Sequence, residues 1–169
     1  MKKILLRADD LGYSEAVNLG IEKSIRQGLI RSLGVMVNMP ATLHGVELIR
    51  DCDIALGVHV NICAEQPLSD PALIPSLVDE KGYFKSSKTY RSASEDFVVF
   101  DEVIIEIEAQ YHRFLELFGR KPDYFEGHAV ASAQFFKGLE YVANKYQLKY
   151  SGFPLDDKPI RVGHSLVAF

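Results

Sequence analysis

Short apolar runs alternate along this chain with amphipathic stretches of helical period, and most of the runs end in polar or charged residues. Lys3 to Ala8 reads as a buried strand that meets Asp9-Asp10. Ser14 then offers an N-cap and Glu15 a charge suited to the helix dipole, ahead of a helical face carrying Ala16, Leu19 and Ile25 to about Gly28. A second strand is expected over Ser32–Asn38, a short helix over Ala41–Arg50, and a third strand over Ile54–Asn61.

From Cys63 to Ser94 the periodicity stops, broken by Pro67, Pro71, Pro75, Gly82 and several serines. A connection that long inside a compact domain is usually functional. The spacing of Val99, Val103, Ile107, Tyr111, Phe114 and Leu115 predicts a long helix over Phe97–Phe118, with core rather than cofactor-binding positions, stopped by Gly119 and Pro122. Asp123–Glu126, Gln134–Tyr146 and Leu148–Tyr150 read as strand, helix and strand. Repeated strand–helix–strand order implies an α/β fold with a parallel sheet under helices, and a (β/α)-barrel-like architecture is the expectation. The 169 residues suit one domain spanning 1–169.

A formal charge of −4 gives no electrostatic reason to bind nucleic acid or an acidic membrane surface. The apolar run Ile4–Leu6 is too short for a signal peptide, and no run approaches the roughly 20 apolar residues that cross a bilayer. Cys52 and Cys63 form no close metal-ligand pair and read as free thiols. A cytoplasmic location is the expectation.

In parallel barrels the reactive groups gather at the C-terminal ends of the strands. Asp9-Asp10, Asn38, His59-Val60-Asn61 and Glu126-Gly127-His128 all fall at or just after such ends. If strand geometry persists, Asp9 and Asp10 point to opposite sides, so one can bind a metal while a turn re-aims the other toward a reacting water. Equally, either can simply cap the following turn. His59 alone, in an apolar strand, is the pattern of a core histidine. Together with His128 and a carboxylate it becomes a three-ligand set for a divalent ion, leaving a position for water. Water bound there loses a proton near neutral pH and attacks a carbonyl. Asn38 and Asn61 either orient a sugar or close their strands by side-chain hydrogen bonds. Tyr83, Phe84 and Tyr90 either stack on sugar rings or pin the loop. His44 and His112 read as surface residues.

The run Arg7-Ala8-Asp9-Asp10-Leu11-Gly12-Tyr13-Ser14, followed by Asn18 and Gly20-Ile21, resembles the opening motif of the YdjC-like carbohydrate deacetylases, which include the chitooligosaccharide deacetylases. Met36–Ala41, Leu56–Asn61, the loop segments Pro67–Asp79 and Gly82–Phe84, and Glu126-Gly127-His128 resemble its later blocks in order. The resemblance implies a barrel-like fold, a divalent metal (Mg or Zn) and hydrolysis of an acetamido group on a small carbohydrate. It further implies Asp9 as general base, Asp10, His59 and His128 as metal ligands, and Asn38, Asn61, Tyr83 and Phe84 as substrate contacts.

Two departures stand out. Glu126 occupies the place of the usual Asp, and Ala129-Val130-Ala131 follows His128 where the family has further histidines. A closed eight-stranded barrel takes at least about 200 residues, so Val162–Phe169 reads as the interruption of a longer domain, incomplete at its C-terminus, or as the edge of a homologue that pairs with a second subunit as a homodimer. The alternatives to an active deacetylase are another barrel metal hydrolase and a non-catalytic sugar-binding relative. Because a phosphoesterase would need cations beside the metal, and only Arg7 lies near, the phosphoester reading is the less favoured.

Overall fold

The computed structural model describes residues 5–150, 160–162 and 165–167. Strands β1 (Leu6–Leu11), β2 (Ile30–Val35), β3 (Ala55–Val60), β4 (Tyr124–Gly127) and β5 (Lys149–Tyr150) form a five-stranded sheet in chain order. All of its pairs are parallel. Helices α1 (Glu15–Gln27), α2 (Thr42–Ile49), α4 (Phe100–Phe118) and α5 (Ala133–Tyr146) make the crossovers, and α3 (Ser87–Ser92) lies within the long loop. Strands taken in sequence through right-handed crossovers put every crossover helix on one face, which is the wall of a barrel rather than a doubly wound sheet. A short antiparallel pair, β6 (Ile160–Val162) with β7 (Ser165–Val167), follows. Half of the predicted terminal segment Val162–Phe169, residues 163, 164, 168 and 169, lies outside the described residues.

The helix ends obey local chemistry. Ser14 accepts from the Val17 amide at 3.2 Å, and Gly119 closes α4 in the left-handed conformation. Strand alternation divides the sheet chemically. Leu33, Val35, Leu56, Val58 and Phe125 are buried under the helices, where Ile107, Tyr111, Phe114, Phe135 and Leu139 meet them. The register puts Arg7, Ser32, Gly34, Gly57, His59, Tyr124 and Glu126 on the opposite face. In a barrel that face is the interior, and here it borders a groove of about 650 Å³.

The long loop is packed, not loose. Ile74, Leu77, Val78 and Phe84 are buried in the main core, and a helical turn at Pro71–Leu73 precedes α3. Glu106, fully buried on α4, accepts from the Leu68 and Ser69 amides at 3.2 and 3.0 Å and from the Gln110 side chain at 2.8 Å. Glu106→Ala leaves those donors buried without an acceptor, which costs about 3 kcal/mol. A correspondingly lower denaturation midpoint, with early proteolysis of the 66–70 segment, is the expected result in a limited-digestion experiment.

Candidate metal centre

Asp10 sits at a break in β1. Ala8 pairs with Leu33 but Leu11 with Val35, so β1 carries one more residue than β2 over this stretch. That bulge coincides with a left-handed backbone at Asp10 (φ 71°), a conformation Asp tolerates better than most residues. The expected strand alternation of the two aspartates therefore does not persist, and Asp10 is turned toward the ends of β3 and β4. The turn beyond it is held by buried Asn18, whose Oδ1 accepts from the Gly12 amide at 2.7 Å and whose Nδ2 donates to Ala41 O at 2.9 Å. His44, expected at the surface, is half-buried, with its ring 3.2 Å from Asn18. His112 is exposed as expected.

Three ligand atoms from β1, β3 and the residue after β4 converge. Asp10 Oδ1 lies 3.1 Å from His59 Nε2 and 3.0 Å from His128 Nδ1, and the two ring nitrogens are 3.0 Å apart. Donors on bonds of about 2.1 Å at right angles are separated by about 3.0 Å, whereas tetrahedral angles require about 3.4 Å. The three atoms are close enough together for all of them to hold one divalent ion. Asp10 Oδ1 is buried without a hydrogen bond, which is the state of an oxygen whose partner is a cation. The two imidazoles hold the Asp10 carboxyl well below the usual carboxylate range.

A second group of polar atoms lies on the other side of His59. Its Nδ1 is 3.3 Å from Glu126 Oε1, and Asp9 joins the same cluster. Arg7 ties the carboxylates together: its Nε is 2.9 Å from Asp9 Oδ1, and its Nη2 pairs with Glu126 Oε2. Burial disfavours a charged His59 ring, but Asp10 and Glu126 outweigh it and push the metal-free pKa up to about 9. Burial also pushes the Glu126 carboxyl upward.

Four residues read as substrate contacts are placed as follows. Asn61 is fully buried; its Oδ1 accepts from the Cys63 and Ala64 amides, and its Nδ2 donates to Asn38 Oδ1 and Ala64 O. Through these bonds it shapes the start of the loop. Asn38 lies beyond β2, which ends at Val35; half-buried, it donates to Ala64 O and Gln66 O and accepts from Asn61 Nδ2. Phe84 is 6% exposed and belongs to the core, where its ring anchors the loop; Tyr83 is 43% exposed. Tyr90 also pins the loop, donating to Ile62 O at 2.9 Å and stacking on Phe97. Cys52 and Cys63 are free.

Sequence reasoning gave no role to Gln110 or Gly34 and noted Arg7 only as a motif residue and a nearby cation. Gln110 brackets Asn61 from α4, accepting from its amide at 3.0 Å and donating to its carbonyl at 2.6 Å, and so fixes the end of β3. The polar residues inside the otherwise apolar periodicity of α4 were the signal. Among the described residues no helix is long and apolar enough to cross a membrane.

The comparisons agree with this architecture. A carbohydrate deacetylase of Thermoanaerobacter pseudethanolicus is 33% identical over 167 residues, covering 96% of this chain and 66% of that protein. A chitooligosaccharide deacetylase of Citrobacter koseri is 33% identical over 126 residues, covering 74% of this chain and 48% of its own length. The chain therefore spans about half to two thirds of these curated relatives. A solved structure from Enterococcus faecalis, 30% identical, superposes with a TM-score of 0.77 over 86% of this chain and 57% of that one. A mutant of a CE4 family pseudoenzyme, 9% identical with a TM-score of 0.51, shares the fold alone. The family model described as YdjC-like protein matches residues 3–166, and the chain belongs to that family.

Proposed function

We propose that the protein hydrolyses N-acetyl groups of small carbohydrates such as acetylated chito-oligosaccharides, using a divalent ion held by Asp10, His59 and His128. The observation that carries this reading is the convergence of the three ligand atoms around an orphaned buried oxygen. The names of the relatives supply the substrate class. Bound there, Mg²⁺ or Zn²⁺ supplies Lewis-acid polarisation of the acetamide carbonyl and lowers the pKa of the attacking water. Asp9 receives that water's proton on its carboxylate, and Arg7 holds it in place from 2.9 Å. Tyr83 offers an exposed ring to a sugar, and Asn38 a half-buried amide. Arg7 is engaged by Asp9 and Glu126, which argues against a phosphoester substrate.

The test is to measure bound metal and acetate release from N-acetylated chito-oligosaccharides, with and without chelator. Acetate release that stops with chelator and returns with added Mg²⁺ or Zn²⁺ is the expected result. Metal without acetate release would favour the non-catalytic sugar-binding relative or another hydrolase, and a protein that binds no metal would overturn the ligand assignment.

A further inference from the structure

We infer that Glu126 is a positioning residue for the metal centre, holding the His59 ring with Nδ1 protonated so that the bare Nε2 faces Asp10 and His128. The inference rests on the ligand reading above and concerns what stands behind it. His59 is a two-sided residue: Nε2 lies among the ligand atoms, and Nδ1 lies 3.3 Å from Glu126 Oε1. Glu126 and His59 are 3% and 6% exposed, so water does not compete for that ring edge. A ligand imidazole needs its other nitrogen protonated and oriented, and a buried carboxylate supplies both.

The backbone makes room for this arrangement. A Cβ on Gly34 would stand 2.5 Å from Glu126 Oε1, 2.8 Å from Asp9 Oδ1 and 3.1 Å from His59 Cβ. Glycine in a strand interior is unfavourable unless a group approaches closely, and here the carboxylates and the imidazole do. Parallel register sets His59 directly beside Glu126, so the contact follows from the pairing of β3 with β4. Arg7, paired with Glu126 Oε2, leaves Oε1 to the ring.

The experiment measures Zn²⁺ affinity by competition with a chromophoric chelator, and the His59 ring by ¹⁵N-detected NMR of the Zn²⁺-loaded protein. Wild type is expected to show a slowly exchanging Nδ1 proton. Glu126→Ala is expected to lose that signal and weaken Zn²⁺ binding roughly 10- to 100-fold. Glu126→Gln, which keeps an acceptor oxygen, should retain the proton signal and most of the affinity, and thermal melts confirm that each variant is folded. Gly34→Ala, which displaces the carboxylate without removing it, is expected to weaken binding as well. Wild-type binding left unchanged by Glu126→Ala, with the Nδ1 proton still present, would overturn the positioning role while leaving the ligands intact. Absence of Zn²⁺ binding in wild type would overturn the ligand reading itself and this role with it.

Discussion

Asp9→Asn is expected to lower acetate release by roughly 10²- to 10⁴-fold while metal remains bound at wild-type stoichiometry. The asparagine has nearly the same shape but cannot take up a proton, and Asp9 is not among the atoms that converge with Asp10 and His128. It groups instead with His59 and Glu126, against Arg7. Its partner Arg7 keeps the pairing to Glu126, so the fold should tolerate the change. Turnover measured beside metal content by atomic absorption separates the two roles. If Asp9→Asn strips the metal, the aspartates have exchanged duties, with Asp9 the ligand and Asp10 the base.

His59→Ala is expected to do the reverse and remove the metal, with affinity falling by more than about a hundredfold. Loss of a residue that merely supports a ligand already has effects of that order. The substitution also deprives Asp10 and Glu126 of the ring between them, 3.1 and 3.3 Å away. The pH dependence has a definite sign. In the metal-free protein the folded pKa of His59 is raised from 6.5 to about 9, so stability from the charged ring is fully present below the unfolded value and lost as pH rises through about 9. Metal requires the neutral ligand nitrogen, so binding expels that proton and apparent affinity falls as pH drops below about 9. Calorimetry in buffers of different ionisation enthalpy should record proton release for wild type and less of it for His59→Ala. Equal release by both would place the proton elsewhere.

The elements that could be read in advance share a physical cause. Local periodicity, caps and breakers act over a few residues, so α1 and α4, with Ser14 and Gly119 at their ends, were legible within a few positions. β3 and β4 were equally plain, because a buried parallel strand is a short apolar run whatever surrounds it. The boundaries that moved lie where tertiary contacts intervene. β1 runs through both aspartates to Leu11, and β2 stops at Val35, leaving Asn38 beyond its end.

The residues of the site were visible as types at strand ends, and their grouping was not. Asp10, His59 and His128 come together because the parallel order β1-β2-β3-β4 puts the ends of these strands on one rim, and because a bulge turns Asp10 out of alternation. Phe84 and Asn61 pack into the loop for a related reason. Polar and aromatic residues near a site look alike in one dimension, but burial drives an aromatic ring into the core and obliges a buried amide to satisfy its own hydrogen bonds. Sequence by itself determined the parallel α/β order, the family and the residue types at the strand ends, since these follow from short-range pattern and chemistry. Only the tertiary structure decided that the two sides of His59 face Asp10 with His128 and a buried carboxylate, because strand pairing brings residues far apart in the chain within 3.3 Å.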